Sequence, residues 1–162
     1  MPDTKSQPLD WALWFFWIIA TTIGWLVGPL LFSGIPLAAS GVAIAALQWA
    51  VLNHRIQRAW RWAVVSSLGW IIGVILLVIF VPTGLNILAA PLLGGILGLG
   101  QWFLLRYEVD WAGWWIVSSI LAWTIGLVIM PGSLTSGSLP GAITGLTLIF
   151  LFRDGLKKAE RN

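Results

Sequence analysis

The chain has 162 residues, of which 59% are hydrophobic and only 9% charged, with a mean hydropathy of +0.91. Soluble domains carry about 25% charged residues, so the composition excludes an ordinary soluble enzyme and places the chain in a membrane. The absence of cysteine excludes disulfides, thiolate chemistry and Cys-based metal sites.

The charges leave three uninterrupted neutral runs, 11–53, 62–105 and 111–152, of 43, 44 and 42 residues. A spanning helix needs about 20 apolar residues, so each run is sized for two spans joined by a turn. Pro and Gly supply the breaks: GPLLFSGIP at 28–36, VPTGLN at 81–86 and PGSLTSGSLP at 131–140. The expected fold is all-α and integral to a membrane. Six transmembrane helices at about 11–31, 36–53, 61–81, 87–106, 111–131 and 139–153 form one domain. Its parallel hairpins cover 11–53, 61–106 and 111–153, flanked by short tails at 1–10 and 154–162. The expectation of helices follows because lipid offers no partner to unpaired backbone groups.

In chain order, the segment before Trp11 carries one Lys and two Asp and does not read as a cleavable signal peptide. Helices one, three and five then share a pattern: Trp17, Thr21, Gly24, Trp25 and Gly28; Trp62, Ser66, Gly69, Trp70 and Gly73; Trp115, Ser119, Ala122, Trp123 and Gly126. Helices two, four and six share another: Gly41, Ala45, Gln48, Trp49 and Leu52; Gly94, Gly98, Gln101, Trp102 and Leu105; Gly141, Gly145, Leu148, Ile149 and Phe152. Both sets fall at i, i+4, i+7, i+8 and i+11, one helical stripe. Small residues spaced in this way let membrane helices approach closely, so the stripes read as bundle interfaces.

If each hairpin is a straight antiparallel pair, Thr21 lies level with Gln48 and Ser66 with Gln101. A hydrogen bond across each pair is expected. The Gln-Trp pairs then read as one level of a packing stripe, with a binding motif as the sharper alternative. In the third hairpin Leu148 faces the level of Ser119 and Ile149 replaces the Trp. That asymmetry marks either a face given to a ligand or partner, or drift.

Trp11, Trp14, Trp60, Trp62, Trp111, Trp114 and Trp115 cluster near the charged ends and read as an interfacial aromatic belt. Trp25, Trp70 and Trp123 fall deep in the expected spans. They either pack the interior or floor a cavity for a flat lipophilic ligand. The candidate ligand- or partner-binding set is therefore Gln48, Trp49, Gln101, Trp102, Trp25, Trp70, Trp123, Thr21, Ser66 and Ser119.

All the Lys and Arg lie outside the three turns. The positive-inside rule accordingly places the arginine loops and both termini in the cytoplasm. The net charge of +3 describes orientation; a nucleic-acid partner is not expected, because the few arginines abut helix ends. No ionisable residue falls inside a span away from its ends, which argues against a proton-coupled pump or ion pore. No base accompanies an intramembrane Ser or Thr, so catalysis is not expected. His54 reads as an interfacial polar residue, with a metal, haem or chlorophyll ligand as the alternative. Glu108 and Asp110 read as a solvated turn beside Arg106. Polar residues in the turns are limited to Ser33, Thr83, Asn86, Ser133, Thr135, Ser136 and Ser138.

The repeated Gln-Trp, followed by an arginine-containing loop and then Trp, Ser-Ser and Gly-Trp, resembles a group of Trp-rich multi-pass proteins common in cyanobacteria and related phototrophs. The resemblance covers nearly the whole chain. It implies a photosynthetic host and a thylakoid location, with the plasma membrane as the other possibility, and it carries no site residues. The expected function is that of a non-catalytic accessory or scaffold subunit packing against a larger membrane complex or against itself, surrounded by membrane lipids. A pigment, quinone or lipid is the candidate lipophilic cofactor. The second reading is a small-molecule binding or transport protein, similar in size and helix count to the substrate-capture subunits of vitamin importers.

Overall fold

The computed structural model describes residues 8–56, 58–82 and 87–159. Thr83, Asn86 and Arg161 lie outside the described residues. Among the described residues the chain is entirely helical: α1 (Trp11–Leu31), α2 (Pro36–Leu52), α3 (Trp60–Phe80), α4 (Ala89–Leu105), α5 (Trp114–Thr124, continued by a π turn at Ile125–Ile129) and α6 (Thr135–Ala159). Three stretches are long and apolar enough to cross a membrane: Trp11–Leu31, Trp60–Phe80 and Thr135–Arg153. The helices Pro36–Leu52, Ala89–Leu105 and Trp114–Ile129 are apolar but shorter.

Local chemistry sets the helix ends. Asp10 caps α1 by accepting a hydrogen bond from the Leu13 amide at 2.9 Å, satisfying one orphan donor of the first turn. Pro36 opens α2 at the position where a missing N–H costs nothing. Helix α1 ends at Leu31 as expected, while other ends shift from the expected bounds. Trp111 adopts φ 62° and Arg58 φ 60°, so the chain turns sharply before α3 and α5, and α5 starts three residues later than expected.

Helix α6 begins a turn earlier than expected and absorbs Pro140. Its first turn is tied down by Ser136, whose hydroxyl donates to the Gly126 carbonyl at 2.9 Å and accepts from the Gly132 amide at 3.2 Å. The proline ring then fills the space over Gly126, where a Cβ would come within 2.7 Å of it. Residues 154–159, expected as a tail, continue the helix.

The helices pack in a closed ring in chain order. Each contacts its sequence neighbours, and α6 returns to α1. Two hydrophobic clusters fill the ring. One, including Leu13, Trp17, Leu52, Trp62, Leu105, Trp115, Leu148 and Ile149, lies toward the arginine-bearing loops. The other gathers Ile44, Trp70, Leu93, Leu97 and Trp123. Outside the ring, large apolar side chains such as Phe15, Ile23, Leu68, Ile72, Leu99 and Leu121 are exposed.

Candidate functional site

The alternate helices α1, α3 and α5 each aim one tryptophan at the middle of the ring. Trp17, Trp62 and Trp115 meet edge to face, with ring centroids 5.6, 6.2 and 5.5 Å apart. Edge-to-face pairing sets the positive rim of one ring against the negative face of the next. Trp62 and Trp115 are 2% and 1% exposed, so they belong to this axial cluster and not to the interfacial belt expected for them. Trp11, Trp60, Trp111 and Trp114 are exposed, as a belt requires.

A buried indole N–H needs an acceptor, and the glutamines provide it. Trp62 Nε1 donates to Gln48 Oε1 at 3.1 Å, and Gln48 Nε2 donates to Thr21 Oγ1 at 3.1 Å. The Thr21 hydroxyl passes its own proton to the Trp17 carbonyl at 2.8 Å. The same arrangement recurs at Gln101: Trp115 Nε1 donates to its Oε1 at 2.9 Å, and its Nε2 donates to Ser66 Oγ at 2.8 Å. The amide orientations are chemically determined, because an indole can only donate and the carboxamide oxygen must face it. Each glutamine thus joins three helices, binding its antiparallel neighbour through its nitrogen and the following helix through its oxygen. The expected Gln–hydroxyl pairs are present; the bonds to Trp62 and Trp115 were not foreseen.

The third seam, between α6 and α1, solves the same problem without a glutamine. Leu148 occupies the corresponding position and is fully buried. Trp17 Nε1 instead donates to Thr144 Oγ1 at 3.0 Å, one helical turn earlier on α6. Thr144 in turn donates to the Pro140 carbonyl. Trp14 adds a bond from its indole to the Ala142 carbonyl at 2.9 Å. Leu148 and Ile149 are therefore core residues, at 0% and 2% exposure, and they offer no face to a ligand or partner.

A second aromatic level lies two helical turns further along the same helices. Trp70 and Trp123 meet edge to face at 4.8 Å, and Trp25 lies 6.3 Å from Trp123. Trp70 is seated on α2 at Gly41, where any Cβ would overlap its indole. Plain packing accounts for Trp70 and Trp123, which are buried, while Trp25 is half-buried. Ser119 is buried against Gly98. Its neighbour Ser118 accepts from Thr147 Oγ1 at 2.7 Å, tying α5 to α6.

The second member of each Gln-Trp pair departs from the expected stripe. Trp49 is 39% exposed and faces outward. Trp102 is half-buried, with the Arg106 guanidinium 5.2 Å from its ring centre. One residue turns a helix by about 100°, so a stripe that buries Gln48 carries its neighbour to the rim.

Every group in the interior network is a neutral donor or acceptor, and none titrates near neutral pH. Among the described residues, no three His, Cys, Asp or Glu side chains come together as metal ligands. Among the described residues, grooves open outward near the arginine-bearing end of each antiparallel pair. Their volumes are about 430 Å³ between α1 and α2, 440 Å³ between α3 and α4, and 640 Å³ between α5 and α6, and another of about 540 Å³ lies at the α2–α3 turn. His54 borders the first of these beside Arg55.

On the same side, Arg55 pairs with Asp10. Burial pushes the Asp10 carboxyl up, but hydrogen bonds from the Leu13 amide and Arg55 outweigh it and hold the group below its ordinary range.

Compared with known proteins, the chain matches no protein-family model, no curated protein and no solved structure.

Proposed function

We propose that the chain is an integral membrane protein of six spans, built as three parallel helical hairpins with the arginine loops and both termini in the cytoplasm. It works without catalysis, as an accessory or scaffold subunit that packs against a larger membrane complex through its outer face. The observation that carries this reading is the filled axis. Two levels of tryptophan occupy the centre of the ring, and the hydrogen bonds of the first level close internally. An interior with neither a polar path nor a titratable group is suited to holding shape, and it leaves the apolar outer surface as the place of function.

Several features support the span count. The shorter helices α2 and α4 have 17 residues each, about 25 Å of rise, which suits a bilayer core of about 30 Å when polar ends reach the interface. The buried glutamines, Thr21, Ser66 and Thr144 find their partners within the bundle, as lipid demands. A pigment, quinone or lipid tail fits the outer grooves in preference to the axis, and a thylakoid setting fits a pigment-bearing complex. The packed axis disfavours the alternative of a solute carrier working through the bundle.

Two experiments test the proposal. Because the chain has no cysteine, a cysteine placed at Ser33 or Ser133 is unique. It should react with an impermeant thiol reagent from the side opposite to one placed at His54 or Glu108. Labelling of all four positions from one side refutes the hairpin arrangement. Purification in mild detergent, with an absorption spectrum and mass spectrometry of what accompanies the chain, should yield a stoichiometric membrane partner or a bound lipophile. A colourless monomer stabilised by one small polar solute overturns the scaffold reading.

A further inference from the structure

The grooves between α3 and α4 and between α5 and α6 occupy corresponding places but differ in chemistry. Four residues and one residue before the axial tryptophan stand Arg58 and Arg61 in one, and Trp111 and Trp114 in the other. Two residues after the buried Gln101 or Leu148 stands Phe103 or Phe150. The backbones agree as well, since Arg58 and Trp111 share the same left-handed turn, at φ 60° and 62°. In the α1–α2 groove the residue before the axial tryptophan is Phe16. Of these three grooves the middle one alone has a wall built from two cations, and its Arg58 also borders a neighbouring groove with Arg55 at the α2–α3 turn.

We propose that this α3–α4 cleft binds the phosphate headgroup of an anionic phospholipid, with Arg58 and Arg61 holding the phosphate and Phe103 and Tyr107 lying along its glycerol and upper acyl chain. Guanidinium groups present paired N–H donors that match phosphate oxygens. Both arginines are exposed at the mouth of the cleft, while Trp62 closes its floor. The aromatic wall is stiffened by Arg106, whose guanidinium stacks 3.9 Å from the Phe103 ring centre and 4.6 Å from that of Tyr107.

Glu108 also lines the cleft, and among the described residues it forms no ion pair with either arginine. Its carboxylate repels an incoming phosphate and so sets a ceiling on affinity. A single phosphate oxyanion offsets the excess of the two arginines over Glu108, whereas a zwitterionic headgroup brings a cation toward Arg58 and Arg61. The groove between α5 and α6, with indoles in place of the guanidiniums, lacks this selectivity.

The inference rests on the membrane insertion proposed above, and flotation of the full chain with vesicles separates the two. A chain that fails to float refutes insertion; one that floats without lipid selectivity refutes only this site. The test is native mass spectrometry of the full chain in mild detergent with dioleoyl phosphatidylglycerol or dioleoyl phosphatidylcholine. Phosphatidylglycerol should be retained and phosphatidylcholine lost. Removing both cations in R58Q/R61Q should weaken phosphatidylglycerol retention roughly thirtyfold, at about tenfold per 1.4 kcal/mol and one such step or less per basic residue.

Glu108→Gln should strengthen retention severalfold, a gain that disturbed folding does not produce. Arg153→Gln, which removes the cation stacked on Phe150 of the α5–α6 groove, should leave retention unchanged. Equal retention of the two lipids, no response to R58Q/R61Q, or an equal loss in Arg153→Gln overturns the proposal. So does full displacement by millimolar inorganic phosphate, which identifies a plain anion site with no lipid component.

Discussion

Replacing Gln48 by leucine imposes on the α2–α3 seam the side chain that the α6–α1 seam already carries at Leu148. The substitution removes two hydrogen bonds, from Trp62 Nε1 and to Thr21 Oγ1. The two losses are unequal. Thr21 keeps the bond it donates to the Trp17 carbonyl, whereas the Trp62 indole, 2% exposed, has no other acceptor among the described residues. A stranded buried donor costs about 1–3 kcal/mol, and interhelical bonds in membranes average about 0.6 kcal/mol. The apolar leucine offsets part of that, and a net loss of about 1–2 kcal/mol is expected.

The native third seam also supplies the remedy. Thr144 stands one turn before Leu148, and the position one turn before Gln48 is Ile44, buried at 2% exposure. I44T alone should destabilise by burying a hydroxyl in the second hydrophobic cluster. Combined with Gln48→Leu it should give Trp62 the acceptor that Trp17 has, so that the pair is less damaging than the sum by about 1 kcal/mol. The assay is a double-mutant cycle from reversible SDS unfolding in mixed micelles, followed by tryptophan emission and far-UV circular dichroism. Strict additivity, or a Gln48→Leu variant as stable as the parent, refutes the view that the carboxamides exist to satisfy the axial indoles.

Other consequences are as direct. Gly41→Ala places a Cβ on the Trp70 indole, which is 1% exposed and has nowhere to move. It should cost about 2–3 kcal/mol and alter near-UV circular dichroism, while Gly113→Ala, with nothing within 4 Å of the new methyl, should be neutral in the same denaturation. Thr144→Val removes the Trp17 acceptor at nearly constant volume and should cost about 1 kcal/mol or more by SDS titration. Asp10 has a lowered pKa, so its contribution is present above its unfolded value and disappears as pH falls through its folded one. Asp10→Asn should therefore melt below the parent at neutral pH, and the two melting curves should converge as the medium is acidified below the ordinary carboxylate value of 3.8.

What sequence reasoning reached, and where it stopped, follows from the kind of constraint each contact obeys. The levels of Thr21 with Gln48 and of Ser66 with Gln101 were legible because a tight turn fixes the register of an antiparallel pair. The bonds from Trp62 and Trp115 cross between pairs, where a longer loop leaves the level undetermined. Nearness to arginines gives those two residues the look of belt tryptophans; their alignment with Trp17 in the sequence pattern is the signal for an axial role. Thr144 was illegible for a related reason, since it stands outside the pattern and acts only because Leu148 cannot. The early start of α6 went against the usual meaning of Pro140, which here is tolerated because its ring fills the space over Gly126. Trp49 lies off the buried stripe because a step of one residue carries it around the helix from Gln48.

The ring also imposes a timetable on a chain made from one end. Trp17 belongs to the first helix, and its hydrogen-bond acceptor Thr144 follows 127 residues later. At a synthesis rate of about 5–20 residues per second, that gap lasts roughly 6–25 s. For that interval the Trp17 indole and the flank of α1 that α6 will cover stand open to whatever the nascent chain meets. The bond between Trp17 and Thr144 is thus the clasp of the ring, fastened only once the sixth helix has been made.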